Sequence, residues 1–155
     1  MGRLTGRRIL LGITGSIAAY KAAEVVRGLL QEGADVRVIM TREAMQFVGP
    51  MTFSALTGHP VAVEQFPEYG QPGEAHMDLA VWADAVAVVP ATANIIGKMA
   101  NGLADDMLST VLLACEAPCC LAPAMNFRML RKPAVQANMD VLRHRGYHLI
   151  ASAFG

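Results

Sequence analysis

An α/β fold with a doubly wound, mostly parallel sheet and helices on both faces is what this 155-residue sequence predicts. Three observations carry the prediction. Short apolar runs alternate with helix-period segments along the chain. The runs are continuously apolar, as in parallel strands covered on both faces. The residues that follow them are small or hydroxylic, which suits chain leaving a sheet at the carboxyl edge where such folds bind ligands.

The first strand is read at 9–13 and is followed by Thr14, Gly15 and Ser16. A helix fits 17–32, with Ala18, Ala22, Val25, Val26, Leu29 and Leu30 facing inward and Gly33 just past its end. The second strand, 36–40, exits at Thr41. Helical patches follow at 43–47 and 52–56, the latter ended by Gly58. Segment 67–73 holds two prolines and two glycines and reads as a loop. A short helix at 77–82 leads to the third strand, 85–89, which exits through Pro90, Ala91, Thr92, Ala93 and Asn94. A long helical pattern covers 94–115, with a break expected near Gly102, since a mid-helix Gly costs about 1 kcal/mol relative to Ala. The fourth strand, 119–121, exits through Pro123, Ala124, Met125 and Asn126. A helix at 133–145 stops at Gly146, and 147–151 begins a last strand. No repeat or shift in composition divides the chain, so 1–155 reads as one domain.

Bulk properties narrow the function. The formal charge is zero and no Lys/Arg block occurs, so neither nucleic acid nor an anionic membrane surface is an expected partner. Hydrophobic residues reach 54% and charged ones only 17%. Ordinary domains hold about 45–50% and about 25%. In so short a chain the surplus points to a subunit contact. No apolar run approaches a membrane span, and the first residues lack a cleavage site after their apolar run, so the protein is expected in the cytoplasm. Cys115, Cys119 and Cys120 fit neither a zinc site nor a disulfide framework; they read as small buried hydrophobes on a strand, and no metal is expected.

Four exit segments would share one sheet edge. Gly15 and Ser16, between a strand and a helix, suit either close approach of a phosphate or plain helix capping. No G-x-G-x-x-G or P-loop spacing is present, so neither a dinucleotide nor ATP is indicated. Thr92, Ala93 and Asn94 carry the same two readings, with capping favoured for the segment in isolation. His76, in HMDLAVWAD, is a candidate proton-transfer group near neutral pH, or a surface histidine like His59, His144 and His148. Asp105 and Asp106 are adjacent, so on a helix they diverge by about 100° and read as a polar face. The ten methionines read as core and interface filler.

Taken together, GITGSIAAYKAAE, AHMDLAVWAD, PATANIIGKMANGLADDML and PAMNFRM resemble the homo-oligomeric flavin-containing cysteine decarboxylases, in family order and over nearly the whole chain. GITGSIAAYKA and TFSALTGHPV are most similar to the bacterial phosphopantothenoylcysteine decarboxylase domain. PAMNFRM and KPAVQANMDVL also resemble the peptidyl-cysteine decarboxylases. The resemblance implies a Rossmann- or flavodoxin-like fold and FMN as cofactor. Gly15, Ser16, Thr41, Thr92, Ala93, Asn94, Ile95 and Ala124 would hold the flavin. It also implies His76 as the base near the substrate thiol, and Asn126, beside Met125, as the group on the departing carboxylate. Family members place the site between subunits of a homotrimer, four of which form a homododecamer.

The implied reaction is oxidative: converting Cα–Cβ–SH to a thioaldehyde gives the electrons left by CO2 a place to go, and an enethiolate results. The implied substrate is 4′-phosphopantothenoylcysteine, en route to coenzyme A; a peptide with a C-terminal cysteine, or a non-catalytic regulatory flavoprotein, are the alternatives. One departure stands out. Pantothenate-pathway members continue into a Cys-containing, Gly-rich clamp that is not found before Gly155, so the sequence is expected to be part of a longer chain.

Overall fold

The structure, a computed structural model, describes residues 2–64 and 75–150, with only the backbone of Ala75 and His76. Its elements are β1 (Arg8–Ile13), α1 (Lys21–Gln31), β2 (Asp35–Met40), α2 (Pro50–Thr57), α3 (Ala75–Trp82), β3 (Ala85–Ala91), α4 (Ala93–Asn101), α5 (Met107–Ala114), β4 (Cys119–Pro123), α6 (Phe127–Leu130), α7 (Pro133–His144) and β5 (His148–Leu149). The strands form one sheet in the order β2-β1-β3-β4-β5. Every pairing is parallel. The chain winds outward in opposite directions from β1 and β3, so the crevice between their carboxyl ends is the topological switch point, where open α/β sheets bind ligands.

The continuous apolar strands bury residues on both sheet faces. Ile9, Leu11 and Ile13 of β1 pack with Val36, Val38 and Met40 of β2 against Ala22 and Val26 of α1 and Phe53 of α2. On the other face Leu10, Ile39, Val86, Val88 and Leu121 meet α4, α5 and α7 through Ile96, Leu108, Val111 and Leu142. The period-2 alternation of strand side chains thus feeds two separate cores. Each fully buried Leu, Ile or Phe contributes about 1.5–3 kcal/mol.

Several sequence expectations are corrected. The 17–32 helix opens with a 3-10 turn, Ile17–Tyr20. Its three-residue period shifts the phase, so Ala19 is fully buried where Ala18 was expected. Gly33 does follow the helix end, at φ +89°. The 43–47 patch shrinks to a 3-10 turn, Ala44–Gln46. The 94–115 pattern does break at Gly102, as expected, and forms two helices. Gly102, in the left-handed region at φ +68°, ends α4 by donating its N–H to Lys98. Asp106 starts α5 with a capping box, exchanging hydrogen bonds with Ser109. Cys115 sits at the end of α5 rather than on a strand. Cys119, on β4, is buried, and desolvation pushes its thiol up to about 12, which suits an unreactive core residue. Helix α6 was not expected, and the last strand covers only His148–Leu149. Loop 67–73 and residue 151 lie outside the described residues.

Candidate active site

The carboxyl ends of β1, β2, β3 and β4 enclose a groove of about 270 Å³. Gly15, Ser16 and Thr41 line it from the first two exits, and Thr92, Ala93, Asn94 and Ile95 from the third. Ala124 and Met125 close it from the fourth. All eight positions expected around the flavin, with Met125, therefore meet in one place. Asn126 is one residue further on, exposed at the start of α6, and is not itself a lining residue. His76 is the second residue of α3, and its side chain is not among the described ones.

The exits are tied together by Thr14, which is 2% exposed. Its hydroxyl donates to the carbonyl of Pro90 at 2.6 Å and accepts from the N–H of Thr92 at 3.0 Å. One side chain thus staples β1 to β3 across the switch point. Gly15 brings a second close approach. A Cβ built there would overlap the Cβ of Glu43 and lie 3.0 Å from its carbonyl carbon. The glycine is required by the packing of the β1 exit on the β2 exit, and that packing draws Ser16 and Thr41 to the same groove.

The capping and binding readings turn out to be compatible. The hydroxyl of Ser16 accepts from Ala18 N–H at 3.1 Å, that of Thr41 from Ala44 N–H at 3.1 Å, and that of Thr92 from Ile95 N–H at 3.3 Å. Each hydroxyl has one proton besides its acceptor lone pairs. No acceptor for these protons occurs among the described residues. The N–H groups of Ala93 and Asn94, the first two of α4, also lack partners there. The groove therefore offers neutral O–H and N–H donors at a helix start, a set that fits a phosphate monoester.

Charge at the groove comes from Glu43, Lys98 and Asp106. The Lys98 ammonium lies 2.8 Å from Asp105 and 3.1 Å from Asp106. Burial pulls it down, but its hydrogen bonds to both carboxylates outweigh this and hold it above the ordinary lysine value. Asp105 is held low, chiefly by the hydrogen bond from Lys98. Sequence reading took Asp105 and Asp106 for a polar face and passed over Lys98, Glu43 and Met129, all placed here by tertiary packing. The one available signal was the i, i+4 step from Asn94 to Lys98.

At Asn126 the side-chain oxygen accepts the N–H of Arg128 at 2.8 Å. This Asx turn fixes the carboxamide and leaves its NH2 without a partner among the described residues. Asn126 thus starts α6 at the strand exit, one residue beyond the groove-lining Met125.

A doubly wound domain whose switch-point groove offers neutral donors of the kind a phosphate monoester accepts is what the fold and site define. The Flavoprotein family model matches residues 2–153, and the chain belongs to that family. It is 50% identical over 152 residues to the coenzyme A biosynthesis bifunctional protein CoaBC of Bacillus subtilis (strain 168). That match covers 98% of this chain and 37% of the relative, so the chain spans well under half of that protein's length. The solved structure of the FMN-dependent cysteine decarboxylase SpaF superposes with a TM-score of 0.88 at 40% identity, over 95% of this chain and 85% of the other. The C175S mutant of PPC decarboxylase complexed with pantothenoylaminoethenethiol gives a TM-score of 0.79 at 29% identity, over 93% and 81%.

Proposed function

We propose that this chain is the FMN-dependent decarboxylase portion of a coenzyme A-pathway enzyme, removing CO2 from the amide-linked cysteine of 4′-phosphopantothenoylcysteine. The observation that carries the reading is a groove at the β1/β3 switch point, where four exits converge with neutral donors suited to a phosphate. Gly15, Ser16, Thr41, Thr92, Ala93 and Asn94 hold the phosphate end, and Ile95 and Ala124 line the apolar remainder. Bound FMN supplies the two-electron acceptor that takes the cysteine to the thioaldehyde level, from which decarboxylation is easy. His76 takes the thiol proton. Asn126 directs its NH2 at the carboxylate and so orients the bond that breaks.

The site is completed by other copies of the chain, in a homotrimer that further assembles to a dodecamer. Ile17, 79% exposed, and Phe127, 55% exposed, follow directly on Ser16 and Asn126 and form the apolar rim such a contact would cover. No helix of the described residues is long and apolar enough to cross a membrane. The cytoplasmic location and the single-domain reading of 1–155 belong to the same proposal.

A second reading is a peptidyl-cysteine decarboxylase, favoured by the likeness to the peptidyl-cysteine decarboxylase EpiD, with a TM-score of 0.80 at 26% identity. Mass spectrometry of products from the full-length protein separates the two. Loss of CO2 alone from phosphopantothenoylcysteine is the expected result. Loss of CO2 plus two hydrogens from a C-terminal cysteine peptide, with the small substrate untouched, would overturn the preferred reading.

Asn126→Asp is expected to weaken substrate binding by roughly tenfold, since it sets a carboxylate against the substrate carboxylate. The Asx turn survives because Asp supplies the same acceptor oxygen to Arg128. Isothermal titration with a non-reacting substrate analogue measures the effect, and unchanged affinity would reject the contact.

A further inference from the structure

Lys98 stands one helical turn beyond Asn94 and Ile95 on α4, with its side chain 13% exposed. It is the one cation lining the groove among the described residues. Asp105 and Asp106 hold its ammonium at 2.8 and 3.1 Å, and Glu43 adds a third carboxylate to the same surroundings. The neighbouring cation, Arg42, is engaged by Glu64 at 2.7 Å. Without Lys98, the carboxylates of Glu43 and Asp106 would line the groove uncompensated, with that of Asp105 next to them. We propose that Lys98 makes the groove selective for phosphorylated flavin: by neutralising Asp105 and Asp106 it removes the repulsion that would otherwise expel the phosphate. It is a positioning residue that acts through the two aspartates and needs no contact with the ligand. The inference rests on the FMN reading and extends it to the choice between FMN and riboflavin.

The rival role is mechanical, since the same ammonium ties α4 to the start of α5. Lys98→Met separates the two, keeping the buried stem while removing the charge. Flavin-depleted full-length protein is titrated with FMN and with riboflavin, which carries the same ring without phosphate. In the variant the FMN dissociation constant is expected to rise by about tenfold or more, and that of riboflavin by less than about threefold. Adding Asp105→Asn and Asp106→Asn to Lys98→Met is expected to restore FMN binding. Asn caps a helix as well as Asp, so α5 keeps its start. Equal loss of both flavins, or no recovery in the triple variant, would overturn the proposal.

Should Lys98→Met fail to fold, D105N/D106N alone decides the matter. FMN is expected to tighten relative to riboflavin, and an unmoved ratio would overturn the inference. Unaltered protein that bound neither flavin would remove the FMN reading and this inference together. Tight FMN binding with an unmoved ratio in the variants would sink this inference only.

Discussion

Replacing His76 with Asn is expected to lower turnover by about 10²–10⁴-fold, the range supplied by a positioned acid–base group, while the purified protein stays yellow. Asn keeps comparable bulk and a hydrogen-bonding end but has no proton to exchange near neutral pH. His76 is the second residue of α3, on a different element from the strand exits that carry the phosphate donors, so its replacement is expected to leave those donors in place. Product formation followed by mass spectrometry, with the flavin absorbance read on the same sample, measures both quantities. Normal turnover in the variant would remove the role assigned to His76. Colourless protein would assign the residue to flavin binding instead.

The second large effect falls on Thr14. Valine matches its shape but leaves the buried Pro90 carbonyl and Thr92 N–H without the hydroxyl that serves both. Stranding one buried and one half-buried group costs about 2–4 kcal/mol. That should lower the melting temperature by roughly 6–12 °C in a chain of this size. FMN retention should fall with it, because the freed Thr92 begins α4 and the free N–H groups of Ala93 and Asn94 move with that helix start. Thr14→Ser retains the hydroxyl and is expected to recover most of both losses. A Val variant with unaltered melting and unaltered colour would show that the crevice holds together without this side chain.

The sheet and the groove were legible in the sequence for one physical reason: a parallel strand buried on both faces can be seen as an apolar run, and its carboxyl end follows at once. Gly15, Thr41, Thr92 and Ala124 could therefore be grouped before any contact was known. What stayed illegible depended on phase or on distance along the chain. The 3-10 turn at Ile17–Tyr20 put Ala19 where a helical period put Ala18. The break at Gly102 was legible, but the separate start of α5 was not. Asp106 showed no sign of capping α5, since its capping box uses Ser109 rather than the usual Glu or Gln. Thr14 was grouped with the first exit, but its partners lie 76 and 78 residues away. Lys98 was overlooked because the aspartates that hold it lie beyond the end of its own helix, and the i, i+4 step from Asn94 does not reveal them.

Three hydroxyls at the groove are already pinned from behind, each by the peptide of the turn or helix it begins. Their aim is set before any guest arrives, so docking should freeze few rotors and demand little rearrangement. The empty receptacle and the filled one should then share a single shape, and protein stripped of its pigment ought to recolour promptly on simple mixing.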